Sequence, residues 1–158
     1  MTADQSFLLQ RVQPAMVGLV DGSLATLAPI FAVALATHKP HLAFIAGTAS
    51  ALAAGVSMAY SEGLSDTGEL TGRGNPVVRG GITGAGTFIG GILHTLPFLI
   101  PHYHAALVTA VVVVAFEMLG LAWMRWRFFE AGFLKSLGWI VLAAAIIVLV
   151  SGALGAAA

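Results

Sequence analysis

Five long apolar stretches, separated by short polar turns, dominate this sequence of 158 residues. The predicted spans are Pro14–Thr37, Leu42–Leu64, Pro76–Ile100, Ala105–Met124 and Leu134–Ala158. Each reaches the roughly 20 residues that a helix needs to cross a hydrocarbon core of about 30 Å. Because lipid cannot satisfy the backbone groups of an exposed strand edge, the stretches predict helices. The chain is therefore predicted to be all-α, a polytopic membrane protein with five transmembrane helices.

The composition supports this class and excludes several others. Apolar residues make up 58% of the chain and charged residues only 9%, whereas a soluble domain has about 25% charged residues. Seven basic residues balance seven acidic ones, so no basic surplus favours nucleic acid, and the absence of cysteine excludes thiolate sites. No nucleotide-binding loop, HExxH motif or Ser/His/Asp set is present, so no enzyme is predicted. Residues 1–13 form a polar N-terminal segment, and residues 14–158 form one transmembrane domain.

The basic residues predict the orientation of the five spans. With five spans, the N-terminus, the second loop and the fourth loop share one side of the membrane. That side carries Arg11, Arg73, Arg79, Arg125, Arg127 and Lys135. The other side carries Lys39 alone. By the positive-inside rule, the N-terminus is predicted to be cytoplasmic and the C-terminus to lie outside.

Small residues recur every four positions on the predicted second span, at Gly47, Ala51, Gly55 and Ala59. Such stripes let helix backbones approach closely in lipid, where no hydrophobic force drives association. They are consistent with a homodimer that encloses a central pathway, and equally with packing inside one chain.

Three acidic residues fall inside the predicted spans: Asp21, Glu62 and Glu117. A carboxylate in hydrocarbon costs about 2.5–3.5 kcal/mol, so such residues are rare and usually face a pathway. Their similar predicted depth on three helices indicates one shared site for a cation. Structural roles are the alternatives: a neutral cap at a kink for Asp21, an interfacial position for Glu62, and an arginine pair for Glu117.

Met58 precedes Glu62 by one helical turn, so the two side chains share a face. A soft thioether beside hard carboxylates suits a divalent transition metal better than Ca²⁺ or Mg²⁺. Helical spacing continues through Asp66 and Glu69, which predicts an acidic entrance that concentrates cations. Ordinary packing of Met58 and a solvated helix end are the alternatives.

His94 is the one histidine inside a predicted span, three residues before Pro97. It is a candidate exit-side ligand or proton relay. The alternative is a satisfied hydrogen-bonding residue beside the carbonyl group that Pro97 frees.

Several motifs resemble a known family of metal transporters. They are Val20-Asp21-Gly22, Gly55-Val56-Ser57-Met58, Ser61-Glu62-Gly63-Leu64-Ser65-Asp66, Leu70-Thr71-Gly72-Arg73-Gly74 and His94-Thr95-Leu96-Pro97-Phe98. The chain resembles the vacuolar iron transporter family, and most closely the membrane domain of bacterial membrane-bound ferritin proteins. The resemblance covers nearly the whole chain.

That resemblance implies proton-coupled export of Fe²⁺, with Mn²⁺ as a second substrate, by a two-fold dimer. The family's intramembrane Asp corresponds to Asp21 and its second-span Met to Met58. We expect Glu62 and Asp66 to receive the cation, and Glu117 to act as a further ligand or a proton carrier. The metal is substrate, and no permanently bound cofactor is expected.

The expected location is a bacterial inner membrane, and a ferritin-like iron donor is an expected partner. A different class of function stays open at this stage: a membrane anchor or assembly module for a ferritin-like protein, with no transport of its own.

Overall fold

A computed structural model describes residues 2–157 of the chain as an array of helices, with no strand in that range. Seven α-helices follow one another: α1 Ala3–Phe7, α2 Gln13–Ala25, α3 Leu27–Thr37, α4 Pro40–Gly63, α5 Pro76–Leu93, α6 Tyr103–Phe129 and α7 Phe133–Ala156. A π-helical turn, Leu8–Val12, joins α1 to α2, and a 3-10 turn, Leu96–Leu99, follows α5. The all-α prediction is confirmed.

Four helices are long and apolar enough to cross a membrane: Ala3–Thr37, Pro40–Gly63, Tyr103–Phe129 and Phe133–Ala156. These four helices indicate a membrane-embedded protein. The third predicted span is represented by α5, which is only 18 residues long and includes the buried Arg79 among many glycines. Its lower hydropathy sets it apart from the other four.

The first helix begins well before the predicted span. The predicted polar segment, residues 1–13, is helical from Ala3 onward, and Thr2 and Gln5 close a capping box at its start. The helix is interrupted once, at Thr26 between α2 and α3. Pro29 lacks the N–H that would bond the Ala25 carbonyl group, which explains an interruption at this point.

Two other predicted boundaries differ from the structure. Helix α4 ends at Gly63, so Asp66 and Glu69 lie in the loop and do not continue the helical stripe of Met58 and Glu62. Helix α6 continues past the predicted end at Met124, because its Trp and Arg residues are compatible with a helix that leaves the membrane.

Helix α5 is the centre of the fold and packs closely against both α2 and α4. Glycines make this approach possible: a Cβ added at Gly80 would lie 2.5 Å from the Ala59 carbonyl oxygen, and one at Gly84 2.6 Å from the Gly55 carbonyl oxygen. The small-residue stripe therefore packs helices inside one chain. Because these small residues already pack α4 against α5, the stripe does not by itself indicate a dimer.

The neighbouring glycines Gly80 and Gly81 provide a matched test of this packing. Gly80→Ala is expected to lower the free energy of unfolding by about 1–3 kcal/mol, because its methyl group overlaps the α4 backbone. Gly81→Ala has nothing within 4 Å of the new methyl group and should leave stability unchanged or slightly higher. Denaturant unfolding in detergent measures both, and equal stability of the two variants would contradict the packing described here.

Candidate functional site

Asp21 and Met58 line the same cavity, which opens between α2, α4, α6 and α7 and has a volume of about 550 Å³. Its other lining residues are Met16, Val17, Val20, Leu24, Ala25, Arg125 and Ile147. We call this cavity the Asp21 groove. The structure thus brings together two of the five predicted metal-ligating residues, which come from different helices, whereas Glu62, Asp66 and Glu117 do not line this cavity.

The Asp21 groove also contains two residues that sequence reasoning did not assign to it. Arg125 was used only as a marker of the cytoplasmic side, yet its side chain lines the groove and its Nε donates to Ser136 Oγ at 3.3 Å. Met16 adds a second thioether to the wall. In the sequence, Met16 is one apolar residue among others in the first span, and nothing distinguishes it from an ordinary packing residue.

The Asp21 groove is incomplete as a metal site within one chain. Among residues 2–157, no group of three or more His, Asp or Glu side chains is close enough to hold a metal ion. Asp21 has no salt-bridge partner in that range, so its carboxylate is not already used by a basic side chain. Further ligands would have to come from outside the described chain.

Glu62 and Asp66 lie together, but two arginines bind both of them. Arg73 contacts Glu62 Oε1 at 2.6 Å and Asp66 Oδ2 at 3.1 Å, and Arg79 contacts the same two carboxylates at 2.8 and 3.3 Å. We call these four residues the arginine–carboxylate network. Two positive and two negative groups cancel, so a cation could reach either carboxylate only where an arginine releases it.

Arg79 is the buried centre of this network, with a side chain only 1% exposed. It lies in the first turn of α5, where Asn75 caps the helix by accepting from the N–H groups of Val77 and Val78. Besides the carboxylates, its guanidinium donates to the backbone carbonyl oxygens of Glu62 and Asp66, at 3.4 and 3.3 Å. The first of these bonds satisfies a carbonyl group in the last turn of α4, and the second satisfies one in the following loop. The sequence marked Arg79 only as a positive charge.

The loop holds Asp66 as an ionised carboxylate. Partial desolvation acts to raise the pKa of Asp66, but donors and positive charge outweigh it: Thr71 Oγ1, the Gly68 N–H, and the guanidinium groups of Arg79 and Arg73. The net result is a pKa below the usual range for this carboxyl group.

Asp66→Asn provides a pH-dependent test of this network. Because the folded-state pKa of Asp66 is lowered, its contribution to stability is fully present above the ordinary carboxyl pKa of about 3.9 and is lost as the pH falls through the lowered value. Wild type should therefore melt at a higher temperature than Asp66→Asn at neutral pH, and the two should converge in strong acid. A difference in melting temperature that is constant with pH would show that Asp66 does not act through its charge.

His94 and Glu117 form a second buried polar group, where His94 at the C-terminal end of α5 meets Glu117 of α6. His94 is fully buried, its Nδ1 lies 2.7 Å from Glu117 Oε2, and its Nε2 lies 2.7 Å from Thr26 Oγ1. Glu117 thus pairs with a histidine, rather than with an arginine as one sequence alternative had it. Glu117 does not line the Asp21 groove.

Thr26 is the member of this group that sequence reasoning missed. Its hydroxyl lies 2.9 Å from the Gly22 carbonyl oxygen and 3.4 Å from that of Gly91. It therefore links the interruption between α2 and α3 to the end of α5. The pattern Thr26-Leu27-Ala28-Pro29 could have indicated the interruption, because a proline three residues later frees a carbonyl group.

Comparison with known proteins returned no match: no family model, curated protein or solved structure is similar to this chain. The function is therefore inferred from the chemistry of the residues described above.

Proposed function

We propose that this protein is a transporter of divalent transition metal, exporting Fe²⁺, and also Mn²⁺, from the cytosol. One observation carries the proposal: Asp21 and Met58, on α2 and α4, line one groove among helices of a membrane-embedded bundle. A carboxylate and a thioether together favour a borderline divalent metal. An acidic residue among apolar helices is costly and is retained where a pathway needs it.

The transporter proposal includes a homodimer. One chain supplies Asp21 and Met58, which are too few ligands for a metal ion, and no third acidic or histidine ligand joins them within residues 2–157. A two-fold axis beside the groove would add the same two side chains from a second copy, because a two-fold interface repeats each contact. The ligand set would then be two carboxylates and two thioethers.

The proposed topology has five membrane spans, with α5 and the 3-10 turn as the third, the N-terminus in the cytosol and the C-terminus outside. The excess of arginine at one end of the helices supports this orientation. In this topology the break between α5 and the turn Leu96–Leu99 would fall inside the membrane, and helices broken in this way are a feature of transporters. A bacterial inner membrane is the proposed location, and a ferritin-like protein is the proposed iron donor.

Transport would begin at the arginine–carboxylate network, where an incoming cation competes with the partly buried Arg73 for Glu62 and Asp66. The cation would then bind at Asp21 and Met58. Because a carboxylate must be ionised to ligate a metal, protons and metal compete at Asp21. Proton entry can then release the metal, which gives export driven by a proton gradient.

Flux in proteoliposomes tests the proposal. The purified protein is reconstituted with an internal metal-sensitive dye, and Fe²⁺ or Mn²⁺ is added outside with and without an imposed pH gradient. We expect saturable uptake of both metals, larger with the gradient, and no uptake of Mg²⁺. A folded protein that moves neither metal would favour the alternative, a membrane anchor for a ferritin-like partner, in which Asp21 has no role as an ion.

A further inference from the structure

The hydrogen bonds around Thr26 determine where one proton lies on His94. The carbonyl oxygens of Gly22 and Gly91 can only accept, so the single hydroxyl proton of Thr26 points to a carbonyl group. In that arrangement the hydroxyl oxygen accepts from His94 Nε2, at 2.7 Å, and His94 Nε2 carries a proton.

The other ring nitrogen of His94 faces Glu117 Oε2 at 2.7 Å, and a hydrogen bond of this length needs one proton between the two atoms. With no proton, a nitrogen lone pair would face a carboxylate and a net negative charge would be buried. With two protons, the buried pair would carry a net positive charge. With one, the pair is neutral, either as imidazolium and carboxylate or as imidazole and carboxylic acid.

No other ionisable group neutralises the His94–Glu117 pair. Between its end residues, α3 has no titratable side chain, α6 has only Glu117 between His104 and Arg125, and α7 has only Lys135 near its start. Helix α4 has none between His41 and Tyr60, and α5 has only Arg79, near its first turn. Asp21 on α2 is the nearest titratable residue in sequence to Thr26, five positions earlier.

Glu117 also has a free acceptor. Its Oε1 is buried and has no hydrogen-bond partner among residues 2–157. Buried carboxylate oxygens normally have a hydrogen-bond partner, so Glu117 Oε1 is an acceptor that an incoming proton can use. A proton can therefore reach the pair at Glu117 without first breaking another hydrogen bond.

We propose that the His94–Glu117 pair is the proton-binding site that couples proton movement to metal movement. The proposal rests on the transport function proposed above. The pair takes one proton from water on one side of the membrane and gives it to water on the other, and no other bond is made or broken. Helix α6 has few contacts with α5 itself but packs on the 3-10 turn Leu96–Leu99 that follows it, so the proton is exposed when α6 and this turn move apart.

Thr26 connects this proton site to the metal ligand. It accepts from His94 and donates to the carbonyl group of Gly22, the residue after Asp21. Loss of the proton from the pair changes the hydrogen bonds of Thr26, which lies at the interruption between α2 and α3, five residues after Asp21. Metal release and proton binding are thereby linked through one chain of hydrogen bonds.

The test measures Fe²⁺ and proton movement together, with a metal dye and a pH dye in the same proteoliposomes. Wild type is compared with Glu117→Gln and His94→Gln, and Thr95→Val is the control because it removes a buried hydrogen bond, to Gly91, near the pair. We expect both pair variants to pass Fe²⁺ down its own gradient while proton counterflow falls at least tenfold, and Thr95→Val to keep the wild-type ratio of protons to metal.

Each outcome decides the proposal. Proton counterflow that persists in either pair variant overturns the proposal. Fe²⁺ movement without proton movement in wild type also overturns it, but leaves the proposed metal transport intact. Wild-type protein that moves neither overturns both proposals. If the variants fail to fold, ¹⁵N NMR of histidine in wild type decides: the proposal requires a protonated Nε2 on the buried His94, and an unprotonated Nε2 overturns it.

Discussion

Asp21→Ala is expected to lower Fe²⁺ flux by about 100-fold or more while leaving a folded protein. Even outer partners of metal ligands change affinity or activity by 10- to 100-fold, and Asp21 is the only acidic residue that lines the groove. The groove opens to the outside of the chain, so a smaller side chain at this position creates no closed void. Stability should therefore change little.

Two further variants separate charge from size at this position. Asp21→Asn keeps the shape but cannot become an anionic ligand, so it should be as inactive as Asp21→Ala. Asp4→Ala removes an equal charge from the exposed start of the first helix and should transport like wild type. Wild-type flux in Asp21→Asn would mean that the charge of Asp21 has no part in transport, and it would contradict the assignment of Asp21 as a metal ligand.

Arg79→Met is expected to have the largest effect on stability, a loss of about 3–5 kcal/mol. The reason is that removing one partner of a buried ion pair leaves an uncompensated charge. Glu62 and Asp66 would lose their most buried partner, and the backbone carbonyl groups of both residues would lose a donor. Denaturant unfolding in detergent measures the loss.

Arg73→Gln is the matched control, because it removes a charge from the same network at a site that is 23% exposed. Because Arg73 is partly accessible to solvent whereas Arg79 is buried, this variant should lose less stability than Arg79→Met. Combining Arg79→Met with Asp66→Asn leaves Arg73 paired with Glu62 alone, so it removes the excess negative charge and should restore part of the lost stability. An Arg79→Met protein as stable as wild type would contradict the role assigned to this network.

Patterns that depend on one helix were predictable from the sequence. Apolar length gives the helices, because the bilayer sets a fixed span. The same reasoning predicted a similar depth for Asp21, Glu62 and Glu117, and a shared helix face for Met58 and Glu62. The presence of Asp21 and Met58 in one groove follows from α2 and α4 both packing on α5.

Contacts between distant helices were not predictable in this way. Nothing in a hydropathy pattern distinguishes Arg79, which is buried by a loop of residues 64–75, from the other arginines at the same end. The pairing of His94 with Glu117 depends on how α6 crosses the break after α5, and a single sequence carries no record of that geometry. The helical start at Ala3 was missed because capping by Thr2 and Gln5 is a local effect that the polar composition of residues 1–13 conceals.

The most direct test of the central claim is whether the Met58 sulfur binds the metal. Iron K-edge X-ray absorption on the anaerobic Fe²⁺-loaded protein detects a sulfur ligand, and the Asp21 groove offers a matched pair of variants because Met16 lines it too. We predict sulfur scattering in wild type and in Met16→Leu, and its loss in Met58→Leu. Iron bound only by oxygen and nitrogen in wild type, or sulfur that persists in Met58→Leu, would contradict the claim that Asp21 and Met58 form the metal site.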